Sequence, residues 1–592
     1  MSNTSPTLCH AFQATVAAHP DEVAVRTLGG AVSITWRDYA ARVESIAAGL
    51  AGLGVQAGDT VAIMLTNRPE FHLVDTAVLH LGATPFSIYN TNTAPTINYL
   101  FDNADNRVVV CEQQFVPVLI EAKALGSKIA HIVCVDGDPQ GTVGLAEAEA
   151  APATGFDFRA SWQAVRPNDL ATIVYTSGTT GMPKGVELTH TNILRNIECC
   201  DVWKAGPQEG ERVLSYLPDA HLANRWLSHY AAMVHGAEVT DVPNPRDVLA
   251  ALLEVRPAMF IGVPMTWYKL KTAIDIGLAR ETDPTARAAT ERAIGLGLQK
   301  VRADQEGRAL SDEFMAEFAE ADRSVLTPLR ARIGLDQVRL PVSGAAPLSS
   351  ETLEFMMALG LRITEAWGMT ESSAAATTNP IEAIRIGTVG KALPGVEVTL
   401  AEDGELLVRG PIVMRGYRKE PEKSAEAVDA DGWLHTGDLG SIDEDGYVTI
   451  VGRKKDLIIN SSGKNMSPSN IENAVLAGCP LAGLALAIGD RRPFVTTLIV
   501  LDPDAAAAYA ARHQLTDGTP AALAGNAEFL AEIQRGIDRA NTKLSRVEQV
   551  RAFTIVPEYW LPGSDVLTPT MKVRRQPALD RYADEIESMY AR

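Results

Sequence analysis

"TIVYTSGTTGMPKGVELTH", residues 172–190, decides how this chain is read. An apolar run, Ile173, Val174 and Tyr175, breaks into Thr176, Ser177, Gly178, Thr179, Thr180 and Gly181; Met182, Pro183, Lys184 and Gly185 follow. The apolar run and residues 186–189 predict two buried strands around a loop. Thr189 is placed to cap a helix that begins "HTNILRNI". Glycine permits left-handed backbone, so consecutive N–H groups can converge on one anion. The hydroxyls of Ser177, Thr179 and Thr180 add donors, and Lys184 adds a positive charge. The loop is not a Walker A sequence, because no Gly-Lys-[Ser/Thr] follows a four-residue spacer. A surface hairpin uses the same glycines, so the loop needs support from the rest of the chain.

The 592 residues exceed what one hydrophobic core organises, and two or more domains are expected. A formal net charge of −20 argues against a nucleic-acid or anionic-membrane binder that relies on a broad basic face. Positive contacts to a polyanion must then be local. No apolar run approaches the roughly 18 residues of a membrane span. The opening residues lack a basic region followed by an apolar stretch, which predicts no signal peptide and a cytoplasmic protein. Cys9, Cys111, Cys134, Cys199, Cys200 and Cys479 show no CxxC spacing, so reduced thiols and no zinc site are expected.

Upstream of the loop, "TWRDYAARVESIAAGLAGLGV" (35–55) has helical apolar spacing, "DTVAIML" (59–65) is β-rich, and "PEFHLVDTAVLHLGATPFSI" (69–88) is a helix followed by a strand. This alternation predicts parallel sheets with crossover helices. The rhythm returns at "GAEVT" (236–240), "PAMFIGVP" (257–264) and "QVRLPVSGAAPLS" (337–349). Residues 270–335 are charged, alanine-rich and helically periodic, the pattern of a helical insert. From about Lys391 the texture turns β-rich, and Asp443, Glu444, Asp445 and Gly446 mark a hairpin. A domain boundary is expected at Asp456, giving 1–455 and 456–592.

Four further stretches carry chemistry. In "LRITEAWGMTESS" (361–373), 361–366 reads as a strand and 367–371 as a turn. Trp367 beside Gly368 offers a flat face to a base, although core packing is the commoner fate of a tryptophan. Glu371 is a carboxylate of the kind that holds Mg²⁺ against phosphates. In "WLHTGDLG" (433–440), Asp438 is expected in a turn, with acceptors for both hydroxyls of a ribose. In "GRKKDLIINSSGKNMSPSNIE" (452–472), Arg453 is a rigid donor fork, Asp456 a hinge, and Ser467 with Pro468 a helix start. In "LTPTMKVRR" (567–575), Lys572 stands between Thr570 and Arg574. A lysine in such a tail is ordinarily only solvated.

Taken together, "YTSGTTGMPKG", "WGMTE", "TGD", "GRKKD" and "LTPTMK" occur in one order and spacing. The chain resembles the adenylate-forming superfamily of acyl-CoA synthetases, peptide-synthetase adenylation domains and luciferases. The long-chain fatty-acyl-CoA synthetase group is indicated by "LSYLPDAHLANRW" (214–226), "GVPMTWYKL" (262–270), the helical insert and "LTPT" before Lys572. Asp219 stands where that group usually has an apolar residue, and Met265 where it often has arginine.

The resemblance implies an α/β fold. It has a large N-terminal domain of stacked mixed sheets with helices, a β-barrel-like subdomain, and a small, hinged α+β C-terminal domain. It implies ATP, Mg²⁺ and coenzyme A as cofactors and a fatty acid as substrate. Loop 176–184 would wrap phosphates, Glu371 would hold Mg²⁺, and Asp438 and Arg453 would fix the ribose. Gly344, Ala345 and Ala346, with Glu365, Ala366, Trp367, Gly368, Met369 and Thr370, would flank the nucleotide. His221 would stand at the acyl-pocket entrance. Lys572 would serve adenylation and then swing away about Asp456, bringing Ser462, Gly463 and Lys464 to the thiol side. The alternatives are an acyl-AMP ligase that loads a carrier protein, and a CoA ligase for an aryl, branched or sterol-derived acid. No extra segment fits in the dozen or so residues between Asp438 and Gly452, which favours free CoA. No transmembrane anchor is expected; peripheral membrane contact and a homodimer stay open.

Overall fold

The computed structural model describes residues 5–176, 182–461, 464–568 and 571–591. The expectations placed on Ser177, Gly178, Thr179, Thr180, Gly181, Ser462, Gly463 and Thr570 lie outside the described residues.

The N-terminal rhythm of strand and helix folds as the spacing predicts. Strands Thr84–Ser87, Thr60–Met64, Val108–Cys111, His131–Cys134 and Val143–Gly144 form, in that order, a five-stranded sheet whose pairings are all parallel. Val61, Val108 and Val110 face one core, with Phe71 and Val74 of the helix Pro69–His80. Ala62, Val109 and Cys111 face a second, with Phe86 and Phe101. A sheet buried on both faces reads as a continuous apolar run, and "VVVC" (108–111) is one.

A second five-stranded sheet is mixed. Met259–Gly262, Leu340–Ser343 and Thr364–Met369 run parallel, and Ala374–Thr378 and Lys391–Ala392 return antiparallel. The helical insert lies between its first two strands as Pro264–Arg280, Pro284–Gln305, Asp312–Ala321 and Thr327–Arg332. The loop that opened the sequence reading joins antiparallel strands Leu170–Thr176 and Lys184–Thr189, and Gly416–Tyr417 adds a third strand. Thr189 caps the following helix His190–Val202 through a capping box with Asn192.

The β-rich stretch is an antiparallel four-stranded sheet of Glu397–Leu400, Glu405–Arg409, Leu434–Ile442 and Val448–Arg453, with the hairpin at residues 443–446 as expected. The C-terminal segment has a hairpin, Ile458–Ile459 with Asn465–Met466, and a three-stranded sheet, Ala482–Ile488, Val495–Leu501 and Val550–Ile555. Its helices pack on that sheet around Ile471, Ile499, Phe529 and Ile533.

Two local expectations change. Asp438 is not in a turn but inside Leu434–Ile442, opposite Arg453. Gly437 (φ 71°) supplies the local turn signal without ending the strand. Trp367 and Gly368 likewise belong to the strand Thr364–Met369, and the turn begins only at Thr370. Pairing with Ala374–Thr378 carries the strand past the point where sequence ends it. A Cβ on Gly368 would run into the Ala374 carbonyl, so close pairing here requires glycine. Among the described residues no helix is long and apolar enough to cross a membrane. All six cysteines are buried free thiols.

Candidate active site

The site forms where three sheets end. From the mixed sheet come Trp367 and Glu371, from the antiparallel sheet Asp438 and Arg453, and from the three-stranded sheet Lys184 and Tyr417. Register makes the first contact. Asp438 and Arg453 are direct partners across two strands, and Arg453 Nε donates to Asp438 Oδ1 at 2.7 Å. The indole Nε1 of Trp367 donates to Asp438 Oδ2 at 2.8 Å. Trp367 is only 9 % exposed, so its ring packs in the core while its N–H orients the carboxylate.

Glu371 is 8 % exposed and accepts from the Tyr417 hydroxyl at 2.9 Å through Oε1. Burial and the Glu371 charge hold Tyr417 far above the usual phenol range, so it stays a donor. The Lys184 ammonium lies 4.4 Å from the centre of the same ring. Tyr417 thus links the base of the loop to Glu371. No motif marked it: it acts because Gly416–Tyr417 pairs with the strand that carries Lys184. Thr176 Oγ1 reaches the Lys184 carbonyl at 3.5 Å, which closes the base of the loop.

The lip after Leu340–Ser343 is Gly344, Ala345 and Ala346. Ala345 adopts φ 67°, a left-handed conformation an alanine seldom takes. Beneath it Glu365 accepts from the Leu348 N–H at 3.3 Å, and burial pushes its pKa up to about 7. Ala366 and Met369 pack on the core. Thr370 starts the turn that carries Glu371.

Lys572 reaches this cluster from the far end of the chain. The residue is exposed to solvent. Burial and the Arg453 charge lower its pKa, while Asp438 and Glu371 pull it upward. His221 faces the same lysine. Burial and then the Lys572 charge push the imidazole down to about 4. His221 Nδ1 accepts from the Ala223 N–H at 3.1 Å, so the neutral ring carries its proton on Nε2. The Lys464 backbone N–H donates to Asn460 Oδ1 at 2.9 Å, on the hairpin past Asp456. Asp456 closes a turn onto the Arg453 carbonyl.

Asp219, two residues before His221, is 5 % exposed. Its Oδ1 accepts from Asn224 Nδ2 at 2.6 Å, and burial raises its pKa to about 7. Behind it lies a buried ionic network that sequence reasoning missed. Arg225 pairs with Asp75 and donates to Ser87 Oγ at 2.8 Å and to Tyr230 Oη at 2.9 Å. His229 reaches Asp75 at 2.9 Å, and His72 reaches Asp241 at 3.1 Å. Met265 is the second residue of the helix Pro264–Arg280.

The matched family models cover most of the chain. Residues 12–418 match the AMP-binding enzyme family and 455–592 the AMP-binding enzyme C-terminal domain. The chain therefore belongs to the AMP-binding enzymes. It is 34 % identical over 582 residues to the long-chain-fatty-acid–CoA ligase FadD15 of Mycobacterium bovis, covering 96 % of this chain and 95 % of that one. It is 49 % identical over 453 residues to fadD11 of Mycobacterium tuberculosis, covering 76 % of this chain and 79 % of that one. Among solved structures, ATP-bound MatB from Rhodopseudomonas palustris matches with a TM-score of 0.68 at 26 % identity, over 98 % of this chain and 99 % of that one.

Proposed function

We propose that this protein is an AMP-forming fatty-acid–CoA ligase acting on long-chain acids. The acid and ATP give acyl-AMP and pyrophosphate, and CoA then displaces AMP to give the thioester. Identity to FadD15 across nearly both full lengths supports the acid class. The single observation that carries the chemistry is the convergence of Lys572 with Arg453, Asp438 and Glu371.

A carboxylate resists acylation because its charge repels nucleophiles and oxide leaves poorly. Joining it to the α-phosphate of ATP replaces oxide with AMP as leaving group. The two reacting partners are both anions, so positive charge must sit where they meet. Lys572 supplies it, with Lys184 on the phosphate side and Arg453 beside the ribose. Asp438, held by Trp367 and Arg453, retains acceptor capacity for ribose hydroxyls. The neutral His221 offers Nε2–H at the acyl side without adding charge.

The residues present fit Mg²⁺. Glu371 offers one carboxylate, with Oε1 engaged by Tyr417. That matches an ion bound by few protein carboxylates and by phosphate oxygens. Bound there, Mg²⁺ would neutralise triphosphate charge. Glu371→Gln is expected to raise the Mg²⁺ concentration for half-maximal turnover by ~10-fold, a titration unaffected if the ion binds elsewhere.

For the thioester step, the C-terminal unit turns about Asp456, withdraws Lys572, and brings Lys464 to the thiol. Supplying a panel of C8–C20 acids with ATP, Mg²⁺ and either CoA or a pantetheinylated carrier protein tests the reading. Acyl-CoA and AMP are expected by mass spectrometry. Product with the carrier alone would move the protein to the carrier-loading class, and no pyrophosphate with any acid would refute ligase activity.

A further inference from the structure

The Lys572 ammonium works only if the chain places it, and its own hairpin is short. Leu567 and Val573 bridge across it. The Thr568 N–H donates to the Lys572 carbonyl at 2.9 Å, and the Lys572 N–H to Thr568 Oγ1 at 2.9 Å. Below these, the Arg574 N–H donates to the Val566 carbonyl at 2.8 Å. Val566 and Leu567 bury against Leu486 and Ile488 of the strand Ala482–Ile488, which gives the hairpin an apolar foot. Apolar packing is not directional, however, and by itself does not fix the angle at which the tip enters the site.

A directional restraint stands immediately after the hairpin. Arg575 begins the helix Arg575–Arg581. Its Nη2 pairs with Glu472 Oε1, and its Nη1 donates to the Ala487 carbonyl at 3.2 Å. The same Glu472 oxygen accepts the Ala487 N–H at 2.9 Å. Two side chains and the backbone N–H and carbonyl of one residue, Ala487, therefore close a ring between three elements. Glu472 lies in the helix Pro468–Gly478, which follows directly on the hairpin past Asp456. Burial and the Asp456 charge disfavour ionised Glu472, and the Arg575 guanidinium opposes them. Loss of either partner would leave a largely covered group without its counter-charge.

We infer that Glu472 and Arg575 are positioning residues that yoke the Lys572 hairpin to the helix behind the Asp456 hinge, so that adenylation depends on their pairing. Neither touches the reacting atoms. The inference rests on the ligase reading for its kinetic consequence but not for its structural one. The ring joins the helix that directly follows the Lys572 hairpin to the helix that directly follows the Lys464 hairpin. A displacement near 1 Å at a reacting centre costs up to ~10²-fold in rate.

The test uses the full-length protein as Arg575→Gln, Glu472→Gln, the double variant and Arg575→Lys. Pyrophosphate exchange is expected to lose ~10- to 100-fold in kcat, with KM for ATP within about twofold. Thioester formation from supplied acyl-AMP is expected within about threefold of the parent. The double variant should be no worse than the more damaged single one, because both remove one ring. Arg575→Lys, which restores a charge, should recover part of the exchange rate. Amide hydrogen exchange at Thr568, Lys572 and Arg574 should speed up in the glutamine variants, while residues 495–501 hold their protection. Equal losses in both half-reactions, multiplying single effects, or unchanged exchange in the hairpin would each overturn the inference. If the parent makes no acyl-AMP, the ligase reading fails, and hydrogen exchange alone still decides whether the ring holds the hairpin.

Discussion

Two charged clusters invite comparison. The network of Asp75, Arg225, His229, His72 and Asp241 and the site of Asp438, Arg453, Glu371, Tyr417 and Lys572 use the same residue types. In the first, charge is matched inside a closed core. Burial opposes ionisation of Asp75, but Arg225 and His229 outweigh it and lower its pKa. Burial opposes charge on His72 too, and Asp241 outweighs it and raises the pKa. Burial pushes His229 down to about 4, against the pull of Asp75. In the second, Asp438 is held by Trp367 and Arg453 and Glu371 by Tyr417, and the lysine comes from the C-terminal segment. The difference separates charges matched to one another inside the core from charges brought together between distant segments at the proposed site.

Four substitutions break or sharpen this contrast. Asp75→Asn, which strands Arg225 in the core, has the largest expected effect: ~3–5 kcal/mol of stability, read as a lower denaturant midpoint for the first unfolding transition. Lys572→Ala should leave that midpoint unmoved. Its expected loss is ~10²–10³-fold in pyrophosphate exchange, with thioester formation from supplied acyl-AMP largely retained. A lysine of merely structural value would show the reverse.

Asp219→Asn lies between the two regions. The Asp219 pKa of about 7 stands above its ordinary 3.8. The group is neutral and unpenalised at low pH, and stability is lost as pH rises through 7. Asparagine does not ionise, so the variant should gain relative to the parent by ~2–4 kcal/mol between pH 4 and pH 8.5. A difference that stayed flat with pH would remove titration as the cause. Tyr417→Phe is the gentlest change. It deletes one hydrogen bond to Glu371, worth ~0.5–1.5 kcal/mol, and turnover at saturating Mg²⁺ should fall ~2- to 10-fold.

Much of the fold was legible because periodicity survives burial. The parallel sheet around Val108–Cys111, the helical insert and the hairpin at residues 443–446 each follow from local pattern. The reading failed where partner strands decide the outcome. Asp438 and Trp367 looked like turn residues because glycine stands beside each, yet pairing across the sheet keeps both in strands. Tyr417 was invisible for a related reason, since its hydroxyl bonds a residue 46 positions earlier. The Asp75–Arg225 pair spans 150 positions, and although Arg225 lies in the stretch 214–226, nothing local there points to Asp75.

The order and spacing of five motifs, written into the chain itself, determined the family and named Lys184, Glu371, Asp438, Arg453 and Lys572. Only the folded molecule decided how they meet: Arg453 against Asp438, Tyr417 against Glu371, Lys572 beside both anions, and Glu472 holding Arg575. Motifs are local and persist in any conformation. Electrostatic partnership falls off within a few ångströms, and separations of that size between distant segments exist only once the sheets have packed.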